Sequence, residues 1–111
     1  MPPTLSAGRL STIPFITLLT IMNSLDLCCL TIAEAAQRLQ ARKISPLELV
    51  QAHLDRIQAL DSKLNSYITV TADRALQEAS RAESAFSHGR VASPLQGIPV
   101  ATKDLMYTRG I

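Results

Sequence analysis

Between residues 31 and 89 the apolar positions recur at helical intervals, and the pattern divides the stretch into three helices. Thr31-Ile32-Ala33-Glu34 opens the first, with a hydroxyl followed three residues later by a carboxylate, the arrangement of a capping box. Ile32, Ala35, Ala36 and Leu39 then fall on one face, which predicts a helix over residues 32–42 with Arg42 and Lys43 in its last turn. Ser45-Pro46-Leu47-Glu48 repeats the device, with proline suited to the first helical position. Leu47, Val50, Leu54, Ile57 and Leu60 form the stripe of a half-buried second helix. Only Lys43 and Ile44 separate the first helix from the second cap, so the two are expected to pack as a pair. His53 falls beside the stripe and reads as a boundary residue, not as a ligand or base. Residues 61–66 (DSKLNS) are turn formers that should end this helix.

Residues 67–71 (YITVT) are β-branched and alternating, the pattern of a short strand. From Ala72 the helical spacing returns. Ala75, Leu76, Ala79, Ala82, Ala85 and Phe86 supply a face of mostly small residues, Arg74, Glu78, Arg81 and Glu83 face water, and Gly89 is placed to terminate the helix. Ser93-Pro94 introduces a loop, and after Gly97 an apolar run, residues 98–101 (IPVA), predicts a terminal strand. Pro99 lacks a ladder donor, so that strand belongs at an edge or is very short. The expected class is α/β: a helix pair, a short strand, an Ala-rich helix and a terminal strand.

The first 29 residues lack this organisation and read as an apolar head that need not belong to the fold, the folded part being residues 30–111. Residues 10–22 (LSTIPFITLLTIM) are shorter than the roughly 20 residues of a membrane-spanning helix and contain Pro14. Arg9 could begin a signal peptide, but no small-residue cleavage site follows, and Asp26 and Leu27 spoil a lipoprotein signal at Cys28. A signal, an anchor and a true start at Met22 are the three readings of this head, and the start at Met22 fits best. The expected location is then cytoplasmic, with secreted or periplasmic as the alternative if the head is a signal.

Composition narrows the function classes. A hydrophobic fraction of 47% excludes wholesale disorder, while 4% aromatic residues leave a core of small aliphatics in 111 residues. The net charge is +2, and the basic residues are scattered without interleaved aromatics, so no nucleic-acid footprint is expected. Cys28 and Cys29 are adjacent, which suits two free thiols better than a disulfide, and no spacing of Cys and His suits a metal. Neither metal nor cofactor is expected.

Candidate chemistry concentrates at the C-terminal end of the chain. Lys103 and Asp104 follow directly on the apolar run, where loops after strands carry chemistry in α/β folds. On spacing alone Lys103 reads as a solvated residue at a strand end. Free lysine titrates near about 10.4, so acting as a base at neutral pH needs a lowering of about two to three units, or roughly 3–4 kcal/mol, which burial can supply.

The order of elements and the string Pro94-Leu95-Gln96-Gly97-Ile98-Pro99-Val100-Ala101-Thr102-Lys103-Asp104-Leu105, followed by Thr108-Arg109-Gly110-Ile111, resemble the N-terminal part of the amidase signature family. The resemblance runs from about Leu30 to Ile111. It implies hydrolysis of a carbon–nitrogen amide bond by a Ser–cis-Ser–Lys triad, with Lys103 as the base and a small amide as substrate. It also implies that both serines lie on a Gly- and Ser-rich segment further along, which these 111 residues do not contain. The expectation is therefore a truncated fragment, inactive alone. Ser45, Ser62, Ser66 and Ser93 have local explanations as a cap, turn formers and a loop residue. The A subunits of glutamine-dependent aminoacyl-tRNA amidotransferases share this lysine segment and are an alternative within the family. A non-catalytic helical module that binds a partner through its apolar faces is the alternative outside it.

Overall fold

A computed structural model describes residues 23–111, so the readings of residues 10–22 lie outside the described residues. Among the described residues four helices follow in order: α1 (Ser24–Cys28), α2 (Ile32–Gln40), α3 (Pro46–Leu64) and α4 (Ala72–Ser87). Both capping boxes form as the sequence indicates. Thr31 Oγ1 accepts the Glu34 N–H at 3.2 Å while Glu34 Oε2 accepts the Thr31 N–H at 2.8 Å. Ser45 Oγ accepts the Glu48 N–H at 3.0 Å, Glu48 Oε2 accepts the Ser45 N–H at 2.9 Å, and Pro46 occupies the first turn. Each box satisfies donors that the helix itself leaves unpaired.

The ends of α2, α3 and α4 are closed by left-handed residues. Helix α4 ends in a Schellman motif: Gly89 has φ +68°, its N–H donates to Phe86 O at 3.0 Å, and the Arg90 N–H donates to Ala85 O at 2.8 Å. Helix α2 ends in the same motif, two residues earlier than its apolar spacing indicates. Arg42 has φ 58° and donates its N–H to Leu39 O at 3.1 Å, and Lys43 donates to Arg38 O at 2.8 Å. Arg42 and Lys43 thus lie past the helix, not in its last turn. Helix α3 instead outruns its expected end near Leu60. The turn formers are absorbed because Asp61 Oδ1 accepts the N–H groups of Ser66 at 2.7 Å and Tyr67 at 3.2 Å, with Asn65 left-handed between.

One apolar cluster holds the body together: Leu27 of α1, Ala35 and Leu39 of α2, Ile44 of the α2–α3 connection, Leu49 and Ala52 of α3, and Phe86 of α4. Leu39 and Leu49 are almost wholly enclosed, and full burial of such a side chain contributes about 1.5–3 kcal/mol. Helix α3 is the centre of the packing, with α1 and α4 lying closest along it. Helix α2 reaches the same cluster through Ala35 and Leu39, so the expected pairing of α2 with α3 is part of a core shared with α1 and α4. Residues 23–29, which read as part of a separate head, belong to this body. Asn23 caps α1, Leu27 is buried, and Cys28 Sγ donates to Ala52 O at 3.4 Å.

Neither expected strand forms, and the described residues are helical with connecting loops. Residues 67–71 and 98–101 have the composition of strands, but a strand needs a hydrogen-bonded partner as well as propensity. No ladder joins these runs to each other or to another described segment.

The segment leading to Lys103 is docked at Gly97. The Ile98 N–H donates to Leu95 O at 3.1 Å, and Gly97 at the third position of that turn has φ +80°, the requirement of a type II turn. A Cβ at Gly97 would lie 3.1 Å from Pro46 Cγ, 3.2 Å from Phe86 Cε2 and 3.4 Å from Leu39 Cδ1. Glycine therefore serves twice, permitting the backbone angle and letting the chain lie on the core. Gln96 secures the preceding loop by accepting the Ala92 N–H at 2.7 Å and donating to Arg90 O at 2.9 Å.

Candidate active-site cleft

Beyond Gly97 the chain borders a cleft of about 690 Å³ that it shares with α3. One wall is the face of α3 carrying Val50, His53, Leu54 and Ile57, and the others are residues 66–71 and 99–104, with Met106, Thr108 and Ile111 at the edge. Lys103 lines this cleft and is exposed, as is Asp104 beside it. The backbone turns immediately after the lysine, where the Met106 N–H donates to Lys103 O at 3.0 Å. Among the described residues no hydrogen bond or ion pair engages the Lys103 ammonium. The turn carrying it is tied to α4 by Arg74, which donates from Nη1 to Arg109 O at 2.9 Å and pairs with Glu78 at 3.0 Å.

The cleft also contains residues that have only a structural reading in the sequence. His53 is half-buried on its wall, and its Nδ1 lies 2.8 Å from Leu49 O. A carbonyl only accepts, so Nδ1 carries the proton and Nε2 is the acceptor nitrogen of the neutral ring. The signal was present, since positions 50, 53, 54 and 57 make the i, i+3, i+4, i+7 spacing of one helix face. Ser66 lines the cleft as well. Ser45 and Ser93 are engaged locally, Ser45 as a cap and Ser93 by accepting the Leu95 N–H at 3.1 Å. Among the described residues no cluster of three or more His, Cys, Asp or Glu could hold a metal ion.

Groups whose titration the fold moves lie outside the cleft. Glu34 is held below its ordinary value by the backbone N–H of Thr31 and then by its hydroxyl. The Cys28 thiol is pushed up by burial, with Arg56 opposing and Cys29 and Asp55 adding to the rise. Cys28 and Cys29 are both free, the first half-buried and the second exposed.

A lysine on a glycine-anchored segment, bordering a cleft walled by a helix and two non-helical runs, suits base chemistry once water is excluded from it. Comparison with known proteins defines the class. The family model described as Amidase matches residues 48–111, and the chain belongs to this family. Among individual relatives, it is 46% identical over 82 residues to the A subunit of the glutamyl-tRNA(Gln) amidotransferase from Geobacter sp. (strain M21), covering 74% of this chain and 17% of that protein. The equivalent protein of the same name from Nocardia farcinica is 46% identical over 84 residues, covering 75% of this chain and 17% of that protein. That from Methylococcus capsulatus is 48% identical over 81 residues, covering 73% and 16%. The chain therefore spans about a sixth of the length of these relatives. No solved structure matches it. No helix among the described residues is long and apolar enough to cross a membrane.

Proposed function

We propose that this chain supplies the base lysine of an amidase domain that cleaves a carbon–nitrogen amide bond, and that the domain works as the A subunit of an amidotransferase. The observation that carries the reading is Lys103 bordering the cleft, inside the residues matched by the family model. In this mechanism neutral Lys103 takes a proton from a relay serine, which takes one from the nucleophilic serine as it attacks the amide carbon. Collapse of the tetrahedral intermediate breaks the C–N bond, the proton returns along the same path to the departing amine, and water then hydrolyses the acyl-serine. Both serines come from the part of the domain that these residues do not include. The complete domain is α/β, with residues 67–71 and 98–101 becoming strands once paired.

The relatives favour the amidotransferase branch over a free-standing amidase. There the amide is that of glutamine and the ammonia passes to a partner protein. The partner set then extends beyond a small amide to further subunits and, through them, to tRNA. The setting is cytoplasmic.

The test is a fusion of these 111 residues to the remaining length of the Geobacter relative, assayed for ammonia release from glutamine. Lys103→Ala should lower turnover by about 10²–10⁴-fold, the usual contribution of a general base. Turnover that survives in Lys103→Ala would remove the lysine from the mechanism. Turnover on simple amides with none on glutamine would favour the free-standing amidase.

A further inference from the structure

Arg74 stands where the local chemistry of its helix favours a carboxylate. It is the third residue of α4, and at the same position α2 has Glu34 and α3 has Glu48, each completing a capping box. Thr71, the N-cap of α4, makes no side-chain cap hydrogen bond, so the first turn of α4 has no such closure. A cation there also adjoins the positive end of the helix dipole, which opposes it. Helix formation does not account for this residue type, whereas its contacts do.

Arg74 reaches two acceptors with two different nitrogens. Nε donates to Glu78 Oε1 at 3.0 Å, one turn along the same helix, and Nη1 donates to Arg109 O at 2.9 Å, 35 residues away in sequence. The bond to Glu78 fixes the side chain, and the planar guanidinium keeps both contacts at once. Because the second acceptor is a backbone carbonyl, the bond fastens the chain itself and does not depend on the side chain at position 109.

The chain fastened there is the one that bears Lys103. Ile98 still packs against the core, but residues 101–111 are exposed, and the Met106 N–H bond to Lys103 O is local to the segment. Lys103 lies six residues after Gly97 and six before Arg109, at the middle of a span held at both ends. Held at Gly97 alone, the lysine would end an arm that reaches up to about 20 Å.

We infer that Arg74, oriented by Glu78, is a positioning residue for Lys103, keeping the lysine segment at the cleft by holding its far end on α4. The inference rests on the proposed role of Lys103 as a base. Proton transfer along a relay depends on placement, and a displacement of about 1 Å can cost about 10²-fold in rate.

The first measurement is backbone 15N relaxation on the chain itself, with Arg74→Ala and Arg109→Ala beside the wild type. Arg74→Ala should lower the order parameters of residues 103–108 below about 0.6 and leave those of α3 unchanged. The helices should hold because the Arg74 and Glu78 side chains are 53% and 60% exposed, and such pairs contribute little to global stability. Arg109→Ala keeps the carbonyl and should match the wild type. The second measurement uses the fusion to the Geobacter relative, where Arg74→Ala should lower kcat by about 10–100-fold, with KM unchanged and the same factor at every pH. Unchanged order parameters in Arg74→Ala, or an equal loss in Arg109→Ala, would overturn the inference. So would a raised KM with unchanged kcat, or a loss of kcat that alkaline pH restores, which would mark the charge of the guanidinium and not its hold on the chain. Should Lys103→Ala leave turnover intact, the base reading fails, while the order parameters, which need no turnover, still decide whether Arg74 holds the segment.

Discussion

Replacing Gly97 by alanine measures how firmly the lysine-bearing segment is fastened to the helical body. The substitution has two separable costs. At φ +80° an L-residue is disfavoured by about 1–2 kcal/mol, partly offset by about 0.4–1 kcal/mol from the stiffer unfolded chain. The added methyl would also stand 3.1 Å from the Pro46 ring and 3.2 Å from the Phe86 ring, neither of which can swing away as a flexible chain end would. Crowding of that kind costs about 1–3 kcal/mol, so the sum is about 2–4 kcal/mol. Set against a total of about 4–13 kcal/mol for 89 ordered residues, this is a large fraction. At about 4–8 °C per kcal/mol for a domain of this size, a loss of about 3 kcal/mol lowers Tm by about 12–24 °C. Gly89→Ala is the control, because Gly89 has φ +68° with nothing within 4 Å of the added carbon. It should lose only the backbone contribution, about 1 kcal/mol or less, and a few degrees. Thermal melts followed at 222 nm give both numbers. Equal shifts for the two variants would show that Gly97 does not rest on Pro46 and Phe86, and the docking of the segment would have to be abandoned.

The remaining predictions use the caps, the thiols and the lysine. Ser45→Ala removes the hydroxyl that accepts the Glu48 N–H and should cost about 1 kcal/mol in urea unfolding, with an unchanged denaturant slope. Glu34 has a lowered folded pKa, so its capping contribution is present above the unfolded carboxylate value of about 4.3 and is lost as pH falls through the folded value. A wild-type acid melt should therefore show a loss of stability below about pH 4 that Glu34→Gln lacks. Cys29, being exposed, should react with iodoacetamide faster than Cys28, which is half-buried with its thiol bonded to Ala52 O; mass spectrometry at short times reads the order. Lys103→Ala should change the stability of the chain by less than about 0.5 kcal/mol, since the side chain is exposed, even though the proposed mechanism has it lower turnover in the fusion.

What the sequence makes legible here follows the range of the interactions involved. Both capping boxes and the closure of α4 at Gly89 are written in residues within a few positions of one another. Thr31 with Glu34, and Ser45 with Glu48, form the bonds their spacing implies. Helix α1 escapes this reading because its five residues are too few to display a period, and its stability comes from Leu27 entering a core built by later residues. The end of α3 is obscured for a related reason. Asp61 is a turn former by propensity, yet here its carboxylate receives two N–H groups from beyond the helix and prolongs it to Leu64. The two strands do not form because alternation of β-branched residues states a preference and carries no information about a partner.

The same division explains why the position of Lys103 on its segment is legible in the sequence while its environment is not. Its position is fixed from both sides by contacts within the chain. Gly97 rests on Pro46 and Phe86 six residues before it, a span of at most about 20 Å, and Arg74 holds Arg109 O at 2.9 Å six residues after it. Position alone does not make a base. Lowering a lysine by the required two to three units or so needs exclusion of water, and exclusion of water from this cleft needs residues 67–71 and 98–102 to be covered. Under the proposed function the helical body serves as a mount for the lysine, and the chemistry depends on the surface at Ile68 and Val100 being occupied. A variant that weakens that occupancy without touching Lys103 should lower turnover at neutral pH and recover part of it at alkaline pH, where deprotonation no longer needs burial. Val100→Asp in the fused enzyme is that variant. A uniform loss across the pH range would separate docking from the titration of Lys103 and refute the link between them.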